Sequence, residues 1–193
     1  ALFYENKLID AVFHSSSGGK TEDSGKVWKY QLPYLKSVVD YDQNSTKYRW
    51  SAEFNSEELV ETFPDLGGVT SIQVTKRSNS NRVLKILVYG PHGRKTFSGK
   101  ELRKKFKLLS TKFETDLKFY EFQKENNFSE INNSQNRFNL DFDNRMDNDF
   151  SPRPLPEIPK DYFLFLQGSG AGHGVGMSQW GAREMAERGA GFQ

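Results

Sequence analysis

Gly168-Ser-Gly-Ala-Gly-His173-Gly-Val-Gly-Met-Ser178-Gln-Trp180-Gly-Ala-Arg183 decides how the rest of this chain is read. Five glycines alternate with small residues and one histidine between positions 168 and 176. Glycine reaches backbone conformations that strain other residues, and it lets a second backbone come close. The spacing therefore predicts a tightly packed, shape-critical loop. The apolar run at 162–167 before it reads as a buried strand. Ser178 is placed to cap the helix that follows, and Gly189 to close it. Strand, glycine loop and helix N-terminus thus present backbone N–H groups and the His173 imidazole to a ligand.

Working outward, 193 residues suit one compact domain, and sixteen phenylalanines predict an aromatic-rich core. The net charge of +2, from 27 basic and 25 acidic residues, is too balanced to argue for nucleic acid or an anionic membrane, and no nucleic-acid partner is expected. The absence of cysteine excludes disulfides and thiolate metal sites. No apolar run approaches the ~18 residues of a membrane span. The start at Ala1 and the end at Gln193 read as trimmed, so any membrane attachment is expected through an N-terminal anchor outside this sequence.

The order of elements predicts an α+β fold with mixed and antiparallel sheets and a few short helices. Residues 2–4 and 8–14 read as a hairpin turning at 5–7, with the return strand running into the polar loop that follows His14. Residues 32–39 fit a packed loop and a strand. Asn55-Ser-Glu-Glu58 has capping-box spacing and opens a helix with Leu59, Val60 and Phe63 as its stripe. A β-meander follows over 69–98. The capping box Ser98-Gly-Lys-Glu101 opens a helix reaching Leu109, with Leu102, Phe106 and Leu109 on one face. Residues 113–119 alternate as a half-buried strand. Residues 54–120 therefore read as a helix and β-meander subdomain. Residues 124–160, rich in Asn, Asp and Pro, read as a partly disordered surface insertion.

Several motifs compete for the chemistry. The glycines fail the G-x-G-x-x-G spacing, and neither a phosphate loop nor a G-x-S-x-G elbow is present. Ser17-Gly-Gly-Lys20 matches S-x-x-K, which needs Ser and Lys one helical turn apart; Gly18 and Gly19 oppose that helix. An acyl-enzyme stays as an alternative on this match. Ser15, Ser16 and Ser17 read either as a solvated turn or as a hydroxyl wall suited to a sugar or peptide. His14 reads either as a packed strand-end residue or as part of that wall. Glu22 and Asp23 could supply a carboxylate for glycoside cleavage, or simply cap a turn and neutralise Lys20 and Lys26. The basic run 100–107 reads as the solvated face of a helix, or as a contact for an anionic polymer.

Three stretches together resemble one family. They are Ala11-Val-Phe-His14-Ser-Ser-Ser-Gly-Gly-Lys-Thr-Glu22-Asp-Ser24 with Trp28 and Pro33-Tyr-Leu35, Ser98-Gly-Lys-Glu-Leu-Arg103 through Thr111, and Gly172-His173-Gly-Val-Gly-Met-Ser178-Gln-Trp-Gly-Ala182. The resemblance is to the stage II sporulation protein D and amidase-enhancer (SpoIID/LytB) family. It implies an exported, peptidoglycan-directed protein of the bacterial envelope. Members of the first type are lytic transglycosylases acting on glycan strands without stem peptides; members of the second stimulate an N-acetylmuramoyl-L-alanine amidase. The family's general-acid glutamate precedes the hairpin, where this chain begins, so no catalytic residue is assigned here except the candidate Glu22. By resemblance, His14, Ser15, Ser16, Ser17, Gly18, Gly19, Thr21 and Glu22 form one wall of a glycan groove, and His173, Ser178 and Gln179 the other. Some members bind zinc through cysteines near the serine loop; without them no metal and no cofactor are expected.

Overall fold

The computed structural model describes residues 1–119 and 162–191; the expected insertion at 124–160 lies outside them. The fold is α+β, with several antiparallel sheets, one short parallel pair and a few short helices. Phe3–Tyr4 (β1) and Lys7–Leu8 (β2) pair antiparallel across a two-residue turn at Glu5 and Asn6, with φ of 47° and 60°. Left-handed φ at both positions matches the hairpin turns whose twist suits the flanking strands. Lys7 thus belongs to a strand, not to the turn.

The expected return strand over 8–14 does not form. The Val12 amide donates to the Asp10 carbonyl and the Asp10 amide to the Tyr34 hydroxyl, so this backbone is committed to partners other than a hairpin strand. Phe13–His14 (β3) then pairs with a strand from the far end of the chain. Ser24–Val27 (α1) is a single helical turn. Residues 32–39 form no extended strand either, because their backbone clasps the serine loop. The Thr21 amide donates to Val38 O, and the Val38 amide to the Thr21 hydroxyl.

Arg49–Asn55 (β4) leads into Ser56–Thr62 (α2), where Asn55 and Glu58 make the expected capping box. Leu59 and Phe63 are buried, but Val60 is 46% exposed, since the helix offers only a narrow apolar stripe. Ser71–Arg77 (β5), Val83–Gly90 (β6) and Gly93–Ser98 (β7) form the antiparallel meander. Ser98 and Glu101 cap Gly99–Lys105 (α3) reciprocally. That helix stops short of the expected Leu109. Lys107 turns left-handed at φ 52°, so Leu108 is buried and Leu109 is 38% exposed.

Phe113–Phe119 (β8) and β4 flank Tyr162–Ser169 (β9) in a three-stranded antiparallel sheet. Tyr162, Leu164 and Leu166 alternate inward from the central strand. One cluster joins them to Leu59 of α2 and Phe63 at its C-cap, Ile86 and Val88 of the meander, and Leu102 of α3. Met177–Ser178 (β10) pairs parallel with β3, placing Met177 opposite Phe13 and Ser178 opposite His14. Ser178 caps Gln179–Glu187 (α4), and Gly189 ends it at φ 86°.

Candidate functional site

The serine loop (residues 14–22) and the glycine loop (residues 170–177) meet, but not as two facing walls. They are stitched edge to edge. Ser16 and Ala171 exchange both backbone hydrogen bonds, at 3.1 and 2.7 Å. The Glu22 amide donates to Gly174 O at 2.7 Å, the Met177 amide to Val12 O at 3.1 Å, and the Trp180 amide to Ser15 O at 3.2 Å. The two loops make one continuous floor, because the glycines let the backbones lie side by side.

Two buried carboxylates hold the serine loop from behind. Asp42 accepts from the Ser16 hydroxyl at 2.5 Å and from the Gly18 and Gly19 amides at 2.8 Å each. Asp40 accepts from the Ser17 hydroxyl at 2.6 Å. The Ser16 and Ser17 hydroxyls are therefore turned inward, and both residues are fully buried. Thr21, Glu22 and Ser178 are buried as well, while Ser15, Gly19, His173 and Gln179 reach the surface. The S-x-x-K geometry is absent. Gly18 and Gly19 have φ of 74° and 93°, Ser17 is tied to Asp40, and Lys20 donates to Asn79 O.

Both histidines are neutral at neutral pH and have fixed tautomers. His14 Nδ1 lies 3.1 Å from the Val175 carbonyl, which can only accept, so Nδ1 carries the proton. Its Nε2 is buried with no partner among the described residues. Burial pushes its pKa down to about 4, against the Val175 hydrogen bond, which acts to raise it. His173 accepts the Val175 amide at Nδ1 over 3.1 Å, leaving the proton on Nε2. Burial lowers its pKa too, partly offset by a backbone hydrogen bond to Phe13. The imidazole rings lie 5.6 Å apart, and Trp28 packs on His173 at 5.2 Å.

Beneath the glycine loop sits Arg82, 1% exposed. Its Nη2 donates to Ser17 O at 2.9 Å, while Nε and Nη1 have no partner among the described residues. Burial pushes its pKa down to about 10, against the supporting charge of Glu22. A Cβ at Gly174, whose φ is +83°, would collide with this guanidinium. Glu22 is held on both oxygens, by the Asp23 amide at 2.9 Å and the Ser80 hydroxyl at 2.7 Å.

Two depressions flank this floor. A shallow cleft of about 590 Å³ lies along Trp50, Lys112, Gln167 and Ser169. A closer one of about 100 Å³ lies between α1, α3 and the start of β6, with Glu22 and His173 in its lining. The smaller one borders the candidate residues. Among the described residues no group of three or more His, Asp or Glu side chains is arranged to hold a metal ion, and no helix is long and apolar enough to cross a membrane.

Asp40, Asp42 and Arg82 escaped the sequence reading. The Asp40-Tyr-Asp42 spacing, with two carboxylates on one side of an extended segment after an apolar pair, was the available signal for the first two. Arg82, between a turn and a strand, carried none.

No family model matches the chain. Curated relatives align along nearly all of it. Stage II sporulation protein D of Bacillus amyloliquefaciens is 30% identical over 191 residues, which is 97% of this chain and 42% of the relative. Stage II sporulation protein D of Bacillus subtilis is 28% identical over the same shares. The amidase enhancer of Bacillus subtilis is 26% identical over 211 residues, 97% of this chain and 28% of the relative. The chain thus spans less than half the length of these relatives.

Proposed function

The chain belongs to the family of stage II sporulation protein D and the amidase enhancer, and we propose that it is a domain of the cell envelope that binds peptidoglycan glycan strands over the joined serine and glycine loops. In the whole protein that binding serves strand cleavage by a lytic transglycosylase reaction. The observation that carries this reading is the open rim of the floor, where Trp28 (39% exposed) packs on a neutral His173. A pyranose offers an apolar face and a ring of neutral hydroxyls. An aromatic body with polar neighbours suits both. Ser15 and Gln179, which reach the surface there, supply hydrogen bonds at that rim, and His173, whose ring nitrogens are engaged by Val175 and Phe13, offers its ring. His14, Ser16, Ser17, Gly18, Thr21 and Ser178 act one layer down, by fixing the loops.

Cleavage requires a carboxylic acid that protonates the glycosidic oxygen and later takes a proton back. The sugar's own 6-hydroxyl closes an anhydro ring, so no enzymic nucleophile is needed. Glu22, with both oxygens engaged, is assigned to the structure of the floor. Proton transfer is assigned to a group outside the described residues. His173→Ala and Trp28→Ala should each weaken binding of peptide-free glycan on the order of 10-fold in protein that remains folded. Unchanged affinity in both would overturn the rim as the binding surface. Digestion of such strands by the whole protein should leave anhydro-muramic ends.

A second reading, stimulation of a cell-wall amidase, is favoured by the name of one relative and by a pair of exposed apolar side chains. Phe13 and Met177, opposite each other across β3 and β10, are 58% and 55% exposed. If an amidase docks there, Phe13→Ser should abolish its stimulation while leaving glycan affinity intact.

A further inference from the structure

We infer that the small cavity beside His173 is a carboxylate subsite, which takes the lactyl carboxylate of a muramic acid residue that carries no peptide. The inference rests on the glycan reading above and adds to it a charged specificity element. The cavity, at about 100 Å³, has room for roughly three water-sized groups, too few for a sugar ring and enough for a carboxylate. Lys26 enters its lining from α1, Arg82 from the threshold of β6, and Lys100 and Arg103 from α3. Glu22 is the one carboxylate among them.

Positive charge is in excess here: four cations line the cavity against one carboxylate, Glu22, whose charge supports the buried Arg82. Arg103 Nε donates to the Leu108 carbonyl and Lys100 Nζ to the Val27 carbonyl, both neutral acceptors. Glu22 makes no ion pair with any of these cations among the described residues, its oxygens being engaged by Asp23 and Ser80. Glu101, the nearby carboxylate of α3, is spent on capping Ser98. Behind the cavity the buried Arg82 leaves Nε and Nη1 without a hydrogen bond among the described residues. Cations gathered in partly buried surroundings repel one another and raise the local affinity for an anion.

His173 lines both the cavity and the rim, so a sugar on the rim would hold a substituent over the cavity. On a muramic acid residue that substituent is the lactyl ether, which is anionic when free. A stem peptide converts its carboxylate to an amide, which removes the charge and adds bulk. The subsite would thereby select strands stripped of peptide. A second source of the same chemistry in the cell wall is the C-terminal carboxylate of a stem peptide.

Calorimetric titration of the protein with three tetrasaccharides separates these cases: peptide-free alternating N-acetylglucosamine and N-acetylmuramic acid, all N-acetylglucosamine, and the muramic form amidated with a dipeptide. The peptide-free muramic ligand should bind on the order of 10-fold tighter than either other ligand. That advantage should shrink in 0.5 M salt, on the order of a 4 Å screening length. Arg103→Gln, and independently the exposed-site variant Lys26→Gln, should bring the ratio of muramic to neutral affinity toward one. Equal affinity for the muramic and neutral ligands overturns the subsite and leaves the glycan reading standing. Tightest binding of the dipeptide form moves the assignment to the stem carboxylate and overturns the lactyl one. Binding of none of the three overturns both the subsite and the glycan reading.

Discussion

Two regions of this molecule are held together by different physics. From β4 onward, aliphatic and aromatic side chains of two sheets and two helices share one buried apolar cluster. In residues 1–48, Leu35 is the one buried apolar side chain among the described residues. Among the described residues, nine of the thirteen buried polar ones lie between His14 and Ser45. This part is held by directed hydrogen bonds to Asp40 and Asp42, and by backbone pairing with the glycine loop. An apolar cluster tolerates exchange of one side chain for another of equal volume. A buried polar network does not, because each member lost leaves a partner unsatisfied. The candidate site lies on the second kind of foundation, which fixes loop shape without needing sheet or helix.

The contrast can be broken first in the apolar region. Leu164→Ala, at a fully buried position of β9, should cost about 4 kcal/mol in equilibrium urea unfolding, while Leu164→Met should cost under about 1.5 kcal/mol. In the polar region no such graded response is expected. Asp42→Ala removes the acceptor of three hydrogen bonds and should cost about 3 kcal/mol. Amide exchange should then accelerate at residues 16–19 more than in β5–β7. Equal acceleration in both would mean that the two regions are a single energetic unit.

Acid should also act on the polar region. Folded His14 takes its proton near pH 4, and an unfolded histidine near 6.5. Between those values the unfolded chain binds more protons, so stability is full above pH 6.5 and declines as pH falls toward 4. The loss amounts to about 3 kcal/mol over that window. His173 acts in the same direction. Unfolding measured from pH 7 to 4 should show this slope, and His14→Gln should flatten it; an unchanged slope would remove His14 as its source. The smallest effect is expected at Leu109, which is exposed where a regular helix would have buried it. Leu109→Ser should change stability by no more than about 0.5 kcal/mol, against several for Leu108→Ala.

This division also explains what could be read from the sequence. The apolar run 162–167, the alternation along 113–119, the two capping boxes and Ser178 at the head of α4 are local patterns, and each stands in the structure. The glycine alternation correctly implied close backbone approach, and the serine loop does lie against it. Three things were not legible. The break after Leu8 depends on the Tyr34 hydroxyl, 24 residues from its partner Asp10. The inward turn of Ser16 and Ser17 depends on carboxylates at 42 and 40. The cationic cavity gathers Lys26, Arg82 and Arg103 from three elements. Long-range hydrogen bonds and charge clusters leave no period in a sequence, whereas buried apolar faces do.

The central claim is that the joined loops form the glycan-binding surface. Titrating isotope-labelled protein with peptide-free glycan strands and following the backbone amide resonances tests it most directly. Perturbations should concentrate at residues 14–22 and 171–180 and at the Trp28 indole, with β5–β7 unmoved. Perturbations confined to β5–β7, or none at saturating glycan, would contradict it.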